Sequence, residues 1–256
     1  MARIKPVSHD EHLTLVEHLD ELRTRIIISL AAFVVAFGFC FWQNHEILKI
    51  LNEPLPGNRH PVTLGVTEPF MTTLTVCAYT ALVIALPVVL YQLYAFVLPA
   101  FSPAERRIAM PILLLIPFLF LAGVAFGYFF VLDPAVHFLL NFNDTQFNIQ
   151  VRARDYYSFV AFMLVAMGLM FQVPMGILAV TRVGIVTPQQ LREWRRYAYF
   201  VIIVVAALLP TVDPVSLALE IVPLVILFEL SIVLASLLAP SDAERAPAEP
   251  SAEGSP

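Results

Sequence analysis

Apolar residues gather in six blocks along this chain, at roughly residues 26–42, 72–98, 108–132, 157–180, 197–209 and 216–238. A helix needs about 20 apolar residues to cross a hydrocarbon core of roughly 30 Å. The first four blocks qualify comfortably. The fifth ends before Pro210, and at 1.5 Å per residue it reaches only about 20 Å. It is predicted to be a short span, shielded by neighbouring helices or by a thinned bilayer. An interfacial or re-entrant segment is the alternative.

Charge favours the span. Lys49, Arg59, Arg152 and Arg154 fall on one side of this pattern, and the other eleven of the fifteen basic residues fall on the opposite side. Basic residues collect on the cytoplasmic side of a membrane. Both termini are therefore expected to be cytoplasmic, which requires an even number of spans. Helix-start signals agree. Ser102-Pro103-Ala104-Glu105, Thr187-Pro188-Gln189-Gln190 and Thr14-Leu15-Val16-Glu17 each offer a hydroxyl cap with an acid or amide three residues on. The expectation is an all-α membrane protein of six transmembrane helices with a short fifth helix. Residues 1–25 form a cytoplasmic amphipathic segment, 26–238 the six-span domain, and 239–256 a disordered tail rich in Pro, Ala, Ser and Glu. Pro87, Pro111, Pro117, Pro174 and Pro223 are predicted to bend or interrupt their spans.

Composition narrows the function. Charged residues make up 14% of the 256, well below the quarter usual in soluble domains, and a net charge of -5 argues against nucleic acid as partner. Cys40 and Cys77 sit in apolar runs without metal spacing and read as small buried hydrophobes. The N-terminal stretch carries no cleavable signal or transit pattern. No HExxH, GxSxG, GxxxxGK or GxGxxG occurs, so no enzymatic activity, cofactor or metal is expected. His9, His12 and His18 read as solvated residues.

The acids at the first span are the informative feature. Glu17, Asp20 and Glu21 stand where basic residues are expected, with Glu17 and Glu21 on one helix face. Pairing within the helix, Glu21 with Arg25 and Asp20 with Arg23, is one reading. Together with Glu105 the acids make two points on one membrane face, and carboxylates take guanidinium groups bidentately. Gln172 and Glu229 lie within spans, where polar groups hold helices together or line a path. Gly123 and Gly127 form a GxxxG, which reads as close helix packing. A secondary transporter for a small cationic solute would share these polar residues, but it predicts repeated halves, and none is found.

Ordered stretches of the chain resemble a known family. These are HLDELRTR at 18–25, EPL at 53–55, EPFMTTL at 68–74, PVVLYQLYAFVLPAFSPAERR at 87–107, FLAGVAFGYFFV at 120–131, GLMFQVPMGI at 168–177, RRYA at 195–198 and VDPVS at 212–216. They resemble TatC, the multispanning subunit of the twin-arginine protein translocase. The resemblance implies that Glu21 and Glu105 recognise a signal peptide with two adjacent arginines, alongside Arg23, Arg106, Arg107 and Phe96. It implies transport-related or partner roles for Pro54, Gln172 and Asp213, with Glu229 added from its place in a span. Implied partners are twin-arginine signal peptides of folded cargo, single-span Tat subunits of the TatA and TatB type, further copies of the chain, and the lipid bilayer. The implied setting is a bacterial inner membrane, with transport driven by the proton-motive force. Gln172 stands where relatives carry Glu or Gln, so it offers no titratable proton carrier.

Overall fold

The computed structural model describes residues 15–58, 60–97, 103–147, 149–182, 184–209 and 213–238. The helices run in the order α1 (Leu15–Trp42), α2 (Asn44–Asn52), α3 (Glu68–Val97), α4 (Pro103–Phe126), α5 (Asp133–Asn141), α6 (Ala153–Met170), α7 (Val173–Arg182), α8 (Pro188–Glu193), α9 (Arg195–Ala207) and α10 (Pro214–Leu238). A π-helical stretch, Gly127–Leu132, carries α4 into α5 without a break. Among the described residues there is no strand, only one isolated parallel bridge between Val62 and Arg152. The chain is an all-helical, multi-pass membrane protein. The termini, including the expected tail at 239–256, lie outside the described residues.

Among the described residues, five helical stretches are long and apolar enough to cross a membrane: His18–Trp42, Glu68–Phe96, Leu115–Asn141, Ala153–Thr181 and Pro214–Leu237. The fifth apolar block does form a helix, α9, but its 13 residues fall short of that length. The proline expectation holds in part. Pro174 coincides with a break between α6 and α7, whereas α3 and α10 continue through Pro87 and Pro223. A proline removes one N–H from a helix, and within a membrane neighbouring groups re-satisfy the freed carbonyl well enough for the helix to persist. At Thr187 the capping box forms as expected. The hydroxyl accepts from the Gln190 N–H at 3.2 Å, and the Gln190 side chain accepts from the Thr187 N–H at 2.9 Å.

The chain divides into two compact units. One holds α1 to α3, residues 103–118 and 152–161; the other holds residues 54–60, 119–151 and everything from 162 onward. In the first, α1 packs along α3. Their seam is built from small side chains, with Ala36, Cys40, Cys77 and Ala81 buried and Phe33, Phe37 and Ile47 packed against them. Small residues let two backbones approach closely, the main source of helix attraction where lipid removes the hydrophobic drive. The Cys77 thiol lies 3.5 Å from the Cys40 carbonyl, and both cysteines are buried, as read from the sequence.

In the second unit glycines do the same work. A Cβ on Gly123 would stand 2.6 Å from the Met167 carbonyl oxygen and 2.8 Å from the Phe171 ring base. A Cβ on Gly168 would meet the Phe120 ring at 2.5 Å. The GxxxG reading is thus confirmed in physical terms, and its partner is the stretch around Met167. α10 packs against α7 and α9.

Gly123→Ala is expected to lower thermal stability by the equivalent of about 1–3 kcal/mol, because a backbone carbonyl must move. Gly176→Ala, where nothing lies within 4 Å, is expected to leave stability unchanged or raise it slightly. Unfolding midpoints of the two variants in one detergent check the contrast.

Candidate functional site

The first span opens with the sequence that singled itself out. Glu21 and Arg25 are one turn apart on α1, and the structure joins them: the Arg25 Nε donates to Glu21 Oε1 at 3.2 Å, and its Nη2 donates to the same oxygen. Arg25 also reaches α3, where its Nη1 donates to the Gln92 side-chain oxygen at 3.0 Å. Glu21 Oε2 faces the His18 Nδ1 at 3.8 Å. The His18 ring stacks on Phe96 of α3, with centroids 4.2 Å apart and planes 14° from parallel. Four side chains from two helices therefore gather around one carboxylate. That carboxylate is 29% exposed, so it is neither buried nor freely solvated.

Below this cluster lies an apolar groove of about 380 Å³ between α1 and α3. Arg25, Gln92 and Phe96 stand at its polar end; Ile26, Phe33, Leu82 and Val89 help line its length. The arrangement follows from periodicity. Leu22, Ile26 and Leu30 recur at helical spacing on α1, and the α3 positions facing them are equally apolar.

Of the two intrahelical pairings raised, Glu21 with Arg25 forms and engages Oε1. The one raised for Asp20 does not. Among the described residues Asp20 has no ion pair with Arg23, and its carbonyl accepts the Thr24 hydroxyl at 3.0 Å. Arg23 points to the exposed side. Glu105, Arg106 and Arg107 belong to α4, but their side chains lie outside the described residues.

The remaining predicted residues belong to the second unit. Pro54 is buried in the turn after α2. Gln172 is 7% exposed, at the break before Pro174, where its carbonyl accepts the Gly176 N–H at 3.0 Å. Asp213 is buried and caps α10, its Oδ1 accepting the Ser216 N–H at 2.8 Å. Glu229 is not a lone acid within a span. Arg195 of α9 donates to it at 2.6 Å, and the Tyr199 hydroxyl donates to it at 2.5 Å. Its negative charge is neutralised in place, which removes the main cost of carrying it there.

Gln92 escaped the sequence reading, and His18 was read there only as a solvated residue. A lone amide within the apolar run PVVLYQLYAF was the available signal for Gln92, the same signal that drew attention to Gln172. Nothing in the sequence marks the His18 stack, since it depends on α1 and α3 lying together. Among the described residues no group of three or more His, Cys, Asp or Glu side chains is placed to hold a metal.

Comparisons with known proteins agree on one family. The family model described as "Sec-independent protein translocase protein (TatC)" matches residues 17–223. The Sec-independent protein translocase protein TatC of Carboxydothermus hydrogenoformans is 34% identical over 235 residues, which cover 91% of this chain and 97% of that protein. The protein of the same name from Aquifex aeolicus is 36% identical over 230 residues, covering 88% and 95%. A crystal structure of "Twin Arginine Translocase Receptor- TatC" superposes with a TM-score of 0.73 at 34% identity, covering 86% of this chain and 99% of that one. The same receptor crystallised in DDM gives 0.74 at 35% identity, with the same coverage.

The Arg25–Gln92 bond is the polar tie between α1 and α3 at this site. Arg25→Ala and Gln92→Leu, measured singly and together by thermal unfolding, are expected to show a coupling of about 1 kcal/mol. Strict additivity would mean that the tie adds nothing to the seam.

Proposed function

The chain belongs to the TatC family of Sec-independent protein translocase proteins, and we propose that it is the receptor subunit which binds twin-arginine signal peptides. Its relatives are named as translocase components, a transport role rather than an enzymatic one. The observation that carries the reading is the Glu21 cluster: a partly exposed carboxylate at the head of the first span, above an apolar groove. A signal peptide with two arginines followed by an apolar segment matches that order of surfaces.

Glu21 remains able to receive a guanidinium. A carboxylate has about four lone-pair positions, and Arg25 draws on Oε1 alone. An incoming arginine takes Oε2, on the side facing His18 and Phe96, or exchanges with Arg25. Glu105, with Arg106 and Arg107 next to it, supplies the second recognition point. In this reading six spans cross a bacterial inner membrane, α9 being the short fifth, and both termini are cytoplasmic. The distribution of basic residues supports that topology. Single-span Tat subunits bind elsewhere on the chain, and Pro54, Gln172, Asp213 and Glu229 serve that assembly or the transport step. Energy comes from the proton-motive force.

The test is peptide binding to the full chain in nanodiscs. An Arg-Arg signal peptide is expected to bind in preference to its Lys-Lys counterpart. Glu21→Gln and Glu105→Gln should each weaken it by about 10- to 100-fold, the value of one charge-assisted bond. Unselective binding that neither substitution alters would overturn the receptor reading.

A further inference from the structure

A second cavity, independent of the Glu21 site, lies where α3 and α6 begin. Its volume is about 590 Å³, within the range of small-molecule sites. Two arginines stand in its wall, Arg152 just before α6 and Arg154 in its first turn. Both are misplaced by ordinary rules. A helix N-terminus carries partial positive charge and disfavours cations. The sequence also places only four basic residues on this side of the chain, and two of them are here.

Glu68 compensates one of the two. Arg152 Nε donates to Glu68 Oε1 at 2.7 Å, while Glu68 Oε2 accepts the N–H groups of Leu64 and Gly65 at 2.8 and 3.1 Å. The Glu68 carboxylate holds the Arg152 guanidinium above its ordinary pKa, with Asp155 adding to the effect. Both Glu68 oxygens are thus occupied. Arg154 lines the same cavity and has no ion pair among the described residues. The wall therefore keeps one guanidinium whose charge no partner in it answers.

The cavity also has depth. From Glu68 the α3 lining passes Met71, Thr72, Thr75 and Val76 to Tyr79, about 16 Å of helix. Glu68 and Ala153 are the first residues of apolar spans, so the charged end sits at headgroup level and the rest descends beside hydrocarbon. A free anion would use only the mouth; an amphiphile fills the whole length. We propose that this cavity binds an anionic glycerophospholipid, its phosphate on Arg154 and one acyl chain along α3. The site stands whether or not the Glu21 cluster binds signal peptides.

Native mass spectrometry of the delipidated full chain in neutral detergent tests it, with phosphatidylglycerol and phosphatidylcholine of equal chain length as probes and inorganic phosphate as competitor. Phosphatidylglycerol should be retained about tenfold more than phosphatidylcholine, a difference of one charge-assisted contact. Arg154→Gln should abolish that preference, and Arg154→Lys should keep most of it. Thr75→Phe, which fills the cavity wall while leaving both arginines, should reduce retention of both lipids; it keeps the test open if Arg154→Gln proves unstable. Equal retention of the two lipids, or a preference that survives Arg154→Gln, would overturn the proposal. Displacement of phosphatidylglycerol by inorganic phosphate at matched concentration would also overturn it, by showing that the mouth alone binds.

Discussion

Hydrocarbon tolerates a charged side chain only when an opposite charge or a dense set of hydrogen bonds accompanies it. Three acid–base pairs in this chain obey that constraint: Glu21 with Arg25, Glu68 with Arg152, and Glu229 with Arg195. The first two lie at or near the ends of spans, where water and headgroups share the burden. The third ties α9 to α10. A helix of 13 residues has too little length to anchor itself in the bilayer by apolar burial alone. Its charged first residue, Arg195, is held instead by an acid on a longer helix. The same pair explains how Glu229 is carried within an apolar segment.

The architecture was largely legible in the sequence because hydrophobic run length is a local property. Five runs became five membrane-length helices, and Thr187 formed its capping box, since each depends on residues a few positions apart. Pairing across helices was far less legible. Arg25 and Gln92 are 67 residues apart, and Arg152 and Glu68 are 84 apart. No periodicity links such positions; they meet only because small residues let α1 and α3 close and because the chain before α6 returns to the start of α3. The Asp213 cap was readable in principle, as an acid before Pro214 and three residues before Ser216, yet its place in the family pattern hid that simpler role. Pro87 and Pro223 each remove a backbone N–H without ending the helix, since a proline signals a break in water more strongly than within a packed membrane bundle.

Glu21 has a structural role that leaves room for the receptor role proposed for it. The pair with Arg25 spans one helical turn and is partly exposed, so its own contribution to stability is small, a few tenths of a kcal/mol. Its effect is geometric. Arg25 is fixed at both ends, by Glu21 and by Gln92, and it holds the carboxylate in one rotamer at the mouth of the groove. His18 stacks on Phe96, which lines the same groove. A carboxylate oriented in advance loses less entropy on binding than a free one, so more of each new contact is expressed as affinity.

If Glu21 receives a signal peptide as proposed, that preorganisation bears on the choice of arginine over lysine. An incoming cation gains little from Coulomb attraction alone, because Arg25 already offsets the charge of Glu21. A lysine ammonium brings a compact, strongly hydrated charge and no planar fork, so it must shed water to reach an acid already half satisfied. A guanidinium is more weakly hydrated. It can stack its plane beside the His18 and Phe96 rings while one edge donates to Oε2. Discrimination then rests on shape and desolvation rather than on net charge. A partly neutralised acid selects between two cations of equal charge better than a bare one, since the bare acid would reward both through the same Coulomb term.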